Sequence, residues 1–259
     1  MNMKLTSSLF ALVSLIAVPT SAQPAYVQSG YGECYPSTTC TVTFGVPGVP
    51  GVPVTAGSLL VATVRTDNNG EAGTVQSVTS QPGNRTWTRD RRQVSPTDFF
   101  LEVWSLPNAP GGVTTVTVTQ GGPADQQRIV LTEYSGVATS NHVDATTSGA
   151  ATGATANAGN ITTPGTDRLI HVAVAADGND DADSFTPGPG YTIHDLGPDP
   201  YGSDKTMTQH RVAAIAGAYG TTMGNIHDSW AAVAVAYKPS GSGGSVPAPA
   251  APTNVRIVK

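Results

Sequence analysis

The sequence has few charged residues, and this scarcity excludes one large class of protein. Only 12% of the 259 residues are Asp, Glu, Lys or Arg, and the formal net charge is −5 at pH 7. A protein that binds nucleic acid needs a basic stripe to neutralise phosphates, and the sequence has none. The one basic cluster is diluted by neighbouring aspartates and predicts a solvated hairpin. It consists of Arg85, Arg89, Arg91 and Arg92.

Long apolar runs are also missing, so the sequence predicts no membrane span. The longest run, Leu9 to Val18, falls short of the ~20 residues that a spanning helix needs. It follows Lys4 and precedes the small residues Thr20-Ser21-Ala22, an order typical of a secretory signal peptide over Met1 to Ala22. We therefore expect a secreted, extracellular protein.

Cysteine is almost absent, since Cys34 and Cys40 are the only two. In an exported protein, two cysteines at this short spacing most often form a disulfide. Two free thiols are the alternative. A metal site is disfavoured because no histidine lies near either cysteine in the sequence.

Signatures of catalysis are lacking as well. The sequence contains no Gly-x-Ser-x-Gly elbow, no P-loop and no dinucleotide-binding fingerprint. Its five histidines form no metal-ligand pair, and His171 is predicted to be a buried core residue. Glycosidases need two carboxylates about 5–10 Å apart. Glu102 and Glu133 lie on separate predicted strands and could form such a pair, so a polysaccharide hydrolase is one alternative. A non-enzymatic role is favoured.

Thr, Val, Gly, Ala and Pro are abundant, a composition that favours strands and tight turns. Many short strands at regular spacing predict an all-β fold, a two-sheet antiparallel β-sandwich resembling a jelly roll. In the first half we predict strands at Leu59–Thr66, Thr74–Thr79, Arg85–Arg89, Phe99–Leu106, Val113–Thr119 and Gln127–Tyr134. In the second half we predict strands at Arg168–Ala175, Tyr191–Leu196, Met207–Ile215 and Asp228–Tyr237.

A faint internal repeat accompanies this pattern. The stretch from Leu59 to Asn69 returns as Leu169 to Asn179, and the stretch from Ile129 to Gly136 resembles Ala232 to Pro239. Repeats of this size indicate a duplicated set of strands, so we expect two similar halves within one sandwich.

The domain boundaries follow from composition. We predict a signal peptide at 1–22, an N-terminal segment at 23–53, the sandwich at 54–239 and a linker with an orphan strand at 240–259. The N-terminal segment holds the cysteine loop and three Gly-Val-Pro units, read as an extended loop or sheet edge. The orphan strand, Thr253 to Lys259, either pairs with a sheet edge or is a disordered tail.

Three further segments carry weaker predictions. Tyr26 to Tyr35 is predicted to be a loose, irregular segment before the first strand. Ala145 to Gly159, rich in Ala, Thr and Gly, is either a flexible crossover or a weak strand. Lys205 to Tyr219 is predicted to be strand rather than a short helix, because of the repeat.

Candidate binding residues are aromatic or acidic. Sugar-binding modules present Trp and Tyr faces flanked by amides and carboxylates. The candidates of this kind are Trp87, Tyr191, Tyr201 and Trp230. A loop with carboxylates at alternate positions suits calcium, although it departs from an EF-hand. Its candidate ligands are Asp177, Asn179, Asp181 and Asp183, and a solvated polar loop is the alternative.

The chain resembles a set of exported bacterial β-sandwich modules that are often found beside fibronectin type III or lectin-like domains. The resemblance covers roughly 54–239 and implies a fold rather than a function, because its motifs are turns and core positions. It implies no catalytic residues. The motifs are Ala56–Ala62, Gly83–Trp87, Val103–Ala109, Glu133–Val137, Gly190–Thr192 and Ala236–Pro239.

Together these observations favour a secreted or cell-surface module for adhesion or carbohydrate binding, with calcium as a stabilising ion. Its expected partner is an extracellular glycan or a surface protein. A self-assembling structural protein of filaments or matrix is the second hypothesis, and the hydrolase using Glu102 and Glu133 is the third.

Overall fold

The computed structural model describes residues 22–46, 49–67, 74–83, 85–97, 99–124, 126–177, 185–194, 204–226 and 228–241. Every regular element in this part of the chain is a β-strand. All pairings are antiparallel except for one parallel bridge near the N-terminus. The predicted all-β fold with packed antiparallel sheets is confirmed.

The first half of the chain forms two sheets that face each other. An outer sheet has the order β2-β9-β6, and a larger inner sheet has the order β4-β3-β1-β10-β5-β8-β7. The strands are β1 (Ala25–Cys34), β2 (Ser37–Thr43), β3 (Gly45–Val46), β4 (Val49–Pro50), β5 (Leu59–Asp67), β6 (Val75–Gln81), β7 (Thr88–Val94), β8 (Phe99–Leu106), β9 (Thr115–Ala124) and β10 (Gln127–Ser135).

The second half repeats this plan with shorter outer strands. Its inner sheet has the order β11-β20-β14-β17-β16, and the outer side consists of the sheets β12-β19-β15 and β13-β18. The strands are β11 (Val143–Thr152), β12 (Thr155–Asn157), β13 (Ile161–Thr163), β14 (Arg168–Asp177), β15 (Thr186–Pro187), β16 (Thr192–Ile193), β17 (Asp204–Ala213), β18 (Gly217–Tyr219), β19 (Thr222–Gly224) and β20 (Ser229–Tyr237).

Alternation of side chains places the two inner sheets back to back. In β5, Leu60 and Val64 enter the core shared with the outer sheet, whereas Leu59 and Val61 face the second half. The apolar layer between the two inner sheets, to which β5, β8 and β10 contribute from one side and β14 and β20 from the other, is called the seam below. Because both faces of these strands are covered, their sequences are nearly continuous apolar runs.

The internal repeat is visible in the strand registers. Tyr134 of β10 pairs with Leu59 of β5, and Tyr237 of β20 pairs with Leu169 of β14. The matched sequences therefore occupy matched positions in the two inner sheets. Each half has its own core between an inner and an outer layer, and the seam joins the halves.

One sequence prediction about the N-terminal segment is wrong. The stretch from Tyr26 to Tyr35 is not loose, because β1 pairs with β10 along its whole length. Glycine has a low strand propensity, and because this segment contains Gly30 and Gly32, its sequence did not indicate a strand. Gly30 is required there, since a Cβ atom would overlap the backbone of Thr43 and Phe44.

The two remaining ambiguous segments are strands. Ala145 to Gly159 contributes most of β11 and all of β12, so the weak-strand alternative is correct. Lys205 to Tyr219 forms β17 and β18, as the repeat predicted. The Gly-Val-Pro units supply the short edge strands β3 and β4. The leader up to Ser21 and the orphan strand Thr253 to Lys259 lie outside the described residues.

Candidate functional site

The disulfide loop borders a concave surface of the described chain. Cys34 ends β1 and Cys40 lies within β2, and the predicted bond between them is present. Tyr35 lies within the closed loop, and 71% of its surface is exposed, more than that of any other large apolar or aromatic residue in the described chain. The bridge therefore holds an aromatic ring in solvent on a short, constrained turn.

A groove with a volume of 740 Å³ lies against this loop. That volume is within the range of about 300–1,000 Å³ found for ligand sites. Its lining combines the exposed ring with a carboxylate, an amide and two hydroxyl groups. The lining residues are Glu33, Cys34, Tyr35, Pro36, Ser37, Thr39 and Gln126.

Hydrogen bonds hold the polar groups of the groove in place. The carboxylate of Glu33 accepts hydrogen bonds from Gln126 Nε2, from Arg128 Nη2 at 3.3 Å and from Tyr31 Oη at 3.4 Å. The Arg128 side chain is only 1% exposed, so its ion pair with Glu33 is shielded from solvent. These contacts hold the carboxylate of Glu33 in one orientation beside the groove.

Two buried amides anchor the loop itself. Gln120 Nε2 and Gln127 Nε2 each donate a hydrogen bond of 2.9 Å to the backbone oxygen of Ser37. Ser37 in turn donates from Oγ to the backbone oxygen of Thr39 at 2.6 Å. With the disulfide, these contacts preorganise the groove before any ligand arrives.

The aromatic residues predicted from the sequence lie elsewhere. Trp87 is 4% exposed in the core of the first half, and Tyr191 and Trp230 are 7% and 6% exposed in the core of the second half. Large rings fill sandwich cores because they bury much apolar area, so these three offer no free stacking face. Tyr201 lies outside the described residues.

The predicted calcium loop is described only at its first residue. Asp177 ends β14, and its carboxylate lies 3.6 Å from Arg65, which also pairs with Asp67 at 3.0 Å. Asp67 and Asp177 hold matching places in the repeat, so one buried arginine meets both. Asn179, Asp181 and Asp183 lie outside the described residues, and the described part contains no cluster of three metal-ligating side chains.

The two glutamates considered for hydrolysis are far apart. Glu133 pairs with Leu60, which pairs with Leu106, four residues beyond Glu102 on β8. Four residues along a strand and two strand spacings separate their backbones by about 16 Å. Carboxylate pairs in glycosidases are about 5–9.5 Å apart. Each carboxylate is also occupied, Glu102 by Trp104 Nε1 at 2.8 Å and Glu133 by Ser58 Oγ at 2.7 Å.

A serine, a histidine and an aspartate are in contact at the seam, but the serine lies between the other two. In a catalytic triad the histidine lies in the middle. Ser105 Oγ donates to Asp90 Oδ1 at 2.9 Å and lies 2.7 Å from His142 Nε2. Tyr237 Oη donates to Asp90 Oδ2 at 2.7 Å. Burial raises the pKa of Asp90 to about 6 and lowers the pKa of His142. The hydroxyl is at the centre of the network and is fully buried, so it cannot reach a substrate as the structure stands.

Comparisons with known proteins match the chain to no protein family, to no curated protein and to no solved structure.

Proposed function

We propose that the chain is an exported, non-catalytic module that binds carbohydrate in the groove beside the disulfide loop. One observation carries this proposal. The exposed ring of Tyr35 borders a 740 Å³ groove whose lining also includes Glu33 and Gln126. An extracellular glycan is therefore the partner that this surface fits.

The chemistry of the groove supports a sugar ligand. The face of an aromatic ring stacks on the apolar C–H face of a pyranose. Aromatic pairs contribute about 0.5–1.5 kcal/mol beyond the area they bury, and we expect a ring–sugar contact to be of the same order. The lining also includes a carboxylate, an amide and two hydroxyl groups, and polar groups of these kinds form hydrogen bonds with the hydroxyl groups at a sugar edge. Sequence reasoning overlooked Tyr35, yet one signal was present: it is an aromatic residue enclosed by two closely spaced cysteines.

Two further features agree with an exported binding module. The disulfide suits an oxidising compartment, as the leader from Met1 to Ala22 predicts. The wide separation of Glu102 and Glu133 and the burial of Ser105 favour binding over hydrolysis. Calcium bound at the loop that begins with Asp177 remains a separate prediction, in which the ion stabilises the second half.

The test is a glycan array followed by calorimetry with the best oligosaccharide. Tyr35→Ala removes the stacking face and is expected to weaken binding about tenfold, the equivalent of 1.4 kcal/mol. Tyr35→Phe keeps the ring and is expected to bind within about threefold of the unmodified chain. Ile215→Ala is the matched control, because Ile215 is 70% exposed and lies in the second half.

The proposal fails if Tyr35→Ala binds as well as the unmodified chain. It also fails if the array, probed with folded protein, shows no glycan at all. A change in the Ile215→Ala variant equal to that in Tyr35→Ala would show that the effect is not specific to the groove.

A further inference from the structure

Most of the histidines of this chain lie in the seam or at its borders. Four of the five lie there: His142, His171, His194 and His210. His171 is fully buried and His194 is 6% exposed. Such a concentration of one residue type at one internal surface calls for a physical reason.

Three of these residues form one cluster, called the histidine cluster below: His171, His194 and His210. His210 Nδ1 lies 2.8 Å from His194 Nε2, and the two rings are stacked. His171 pairs directly with His210 across β14 and β17. Its Nδ1 lies 2.9 Å from Tyr134 Oη and its Nε2 lies 3.1 Å from Thr63 Oγ1, both in the first half.

The first half closes over this cluster with aromatic rings. Tyr26 of β1 stacks on His194 with ring centroids 3.9 Å apart. The ring centroid of Tyr134 of β10 lies 5.7 Å from that of His210. The cluster therefore bridges the two inner sheets through ring contacts and hydrogen bonds. Its integrity and the closure of the seam at this end depend on each other.

The repeat places a different chemistry at the opposite end of the seam. The repeat aligns Val61 of β5 with His171 of β14. Val61 pairs with Ser105 and His171 pairs with His210, so Ser105 and His210 occupy corresponding positions in the two inner sheets. Thr88 pairs with Ser105, and Thr192 pairs with His210, so these two threonines also correspond. Asp90 and His194, each two residues after its threonine, therefore occupy corresponding places. One end thus has a serine and a carboxylate at the two places where the other end has histidines.

Among the described residues, no carboxylate contacts the histidine cluster. The titratable groups that the described elements turn toward it are Tyr26 of β1 and Tyr134 of β10, together with the histidines of β14 and β17 and of the turn after β16. Burial lowers the pKa of His171 and of His194 to about 3 and also lowers the pKa of His210. The closed seam therefore favours neutral rings.

We propose that the histidine cluster makes the seam an acid-sensitive joint, which holds the two halves together at neutral pH and opens as the cluster takes up protons. This goes beyond the proposed function and does not depend on it. When His194 and His210 are neutral, one ring nitrogen donates to the other. When both are protonated, two N–H groups face each other at 2.8 Å and the contact becomes repulsive.

Linkage gives the size of the effect. A histidine with a pKa of about 3 in the closed seam and 6.5 in the open seam changes the ratio of open to closed molecules roughly 25-fold between pH 7 and pH 5. His171 and His194 act in the same direction, but because the rings of the cluster lower each other's pKa, their effects do not multiply in full. A seam that is firmly closed at pH 7 is thereby brought toward opening in mildly acidic solution.

The test separates opening of the seam from unfolding of each half. Trp87 lies in the core of the first half and Trp230 in the core of the second half, and neither lies in the seam. We expect acidification to increase the radius of gyration in X-ray scattering and the binding of an apolar dye, while the emission of buried tryptophan stays unchanged. A single transition in which dye binding and tryptophan exposure coincide would overturn the proposal, as would a seam that stays closed down to pH 4.

Variants assign the effect to the cluster. His194→Gln keeps a side chain that can donate and accept but does not titrate, and it is expected to lower the pH midpoint of opening by at least about half a unit. His142→Gln, at the carboxylate end, is the matched comparison and is expected to lower the midpoint less than His194→Gln, because His142 lies outside the histidine cluster and is linked through Ser105 to the Asp90 carboxyl group. An unchanged midpoint in His194→Gln would contradict the proposal.

If His194→Gln fails to fold, the unmodified chain still decides the matter. Histidine ring signals in NMR are expected to show that the cluster stays neutral until the opening midpoint and then titrates together. Ring signals that titrate near pH 6.5 while the seam remains closed would overturn the proposal.

Discussion

At the scale of single residues, burial determines the chemistry of the polar groups at the seam. Ser105 is fully buried and its hydroxyl joins Asp90 to His142. Removing one member of a buried network leaves its partners without hydrogen bonds, which costs about 1–3 kcal/mol. Asp90 relies on two hydroxyl donors, from Ser105 and Tyr237, to offset its desolvation.

Ser105→Ala is therefore expected to lower the free energy of unfolding by about 1–3 kcal/mol. It is also expected to raise the pKa of Asp90 above its value of about 6, because the carboxylate loses a donor. Chemical denaturation and an NMR titration of the Asp90 carboxyl measure the two effects. Ser148→Ala is the control, since the hydroxyl of Ser148 accepts a hydrogen bond from Arg91 near the surface, and it is expected to change stability by less than about 0.5 kcal/mol. A pKa of Asp90 that stays the same would contradict this explanation.

Some residue roles were accessible from the sequence and others were not. His171 was expected to be a buried, satisfied core residue, and the structure confirms this. The contacts of His194 and His210 with Tyr26 could not be predicted, because they join residues far apart in the chain through the packing of two sheets. The same holds for the groove, where Gln126 comes from a turn distant in sequence from Tyr35.

At the scale of elements, the disulfide loop joins the stability of the first half to the geometry of the groove. The bond joins the end of β1 to β2 with a sequence separation of six residues. A loop this short contributes about 2 kcal/mol in the chain-entropy model. Tyr35 and Ser37 lie inside or beside it, so the loop also determines where the groove is.

Replacing both Cys34 and Cys40 by Ala is expected to lower the free energy of unfolding by about 2 kcal/mol. Glycan affinity is expected to fall as well, because the free loop must be ordered on binding. Denaturation and calorimetry at a temperature where the variant is fully folded measure the two effects separately. Unchanged affinity in the folded variant would show that the bridge does not organise the groove.

Strand periodicity predicted most elements correctly. The match between Leu59–Asn69 and Leu169–Asn179 located β5 and β14, and clean alternation located β9. β1 was missed because its glycines resemble a loop, although Gly30 is required by the close approach of Phe44. The nearly continuous apolar runs of β5, β14 and β20 are typical of strands covered on both faces, but they do not show which layers cover them.

At the scale of the whole molecule, the seam makes stability depend on pH. His171 and His194 have a pKa of about 3 when folded and 6.5 when unfolded, so the unfolded state binds more protons between these values. Their contribution to stability is therefore lost as pH falls from 6.5 toward 3. Asp90 acts in the opposite sense, because its folded pKa of about 6 exceeds its ordinary value of 3.8. Its contribution is present below pH 3.8 and is lost as pH rises through 6.

The two histidines outweigh the single carboxyl group. We expect the free energy of unfolding to fall by about 2 kcal/mol between pH 7 and pH 5. Urea denaturation at several pH values measures this change. Asp90→Asn, which removes the opposing contribution, is expected to make the loss on acidification larger by about 1 kcal/mol. A stability that rises steadily from pH 7 to pH 5 would contradict the assignment.

The measurement that tests the central claim most directly is an NMR titration of the chain with the best oligosaccharide from the array. Glycan binding in the groove predicts the largest shift changes at Tyr35, at Glu33 and at the side-chain amide of Gln126. Signals of Ile215 and of the buried Trp230 are expected to stay in place. Shift changes confined to the second half, with Tyr35 unaffected, would contradict the account.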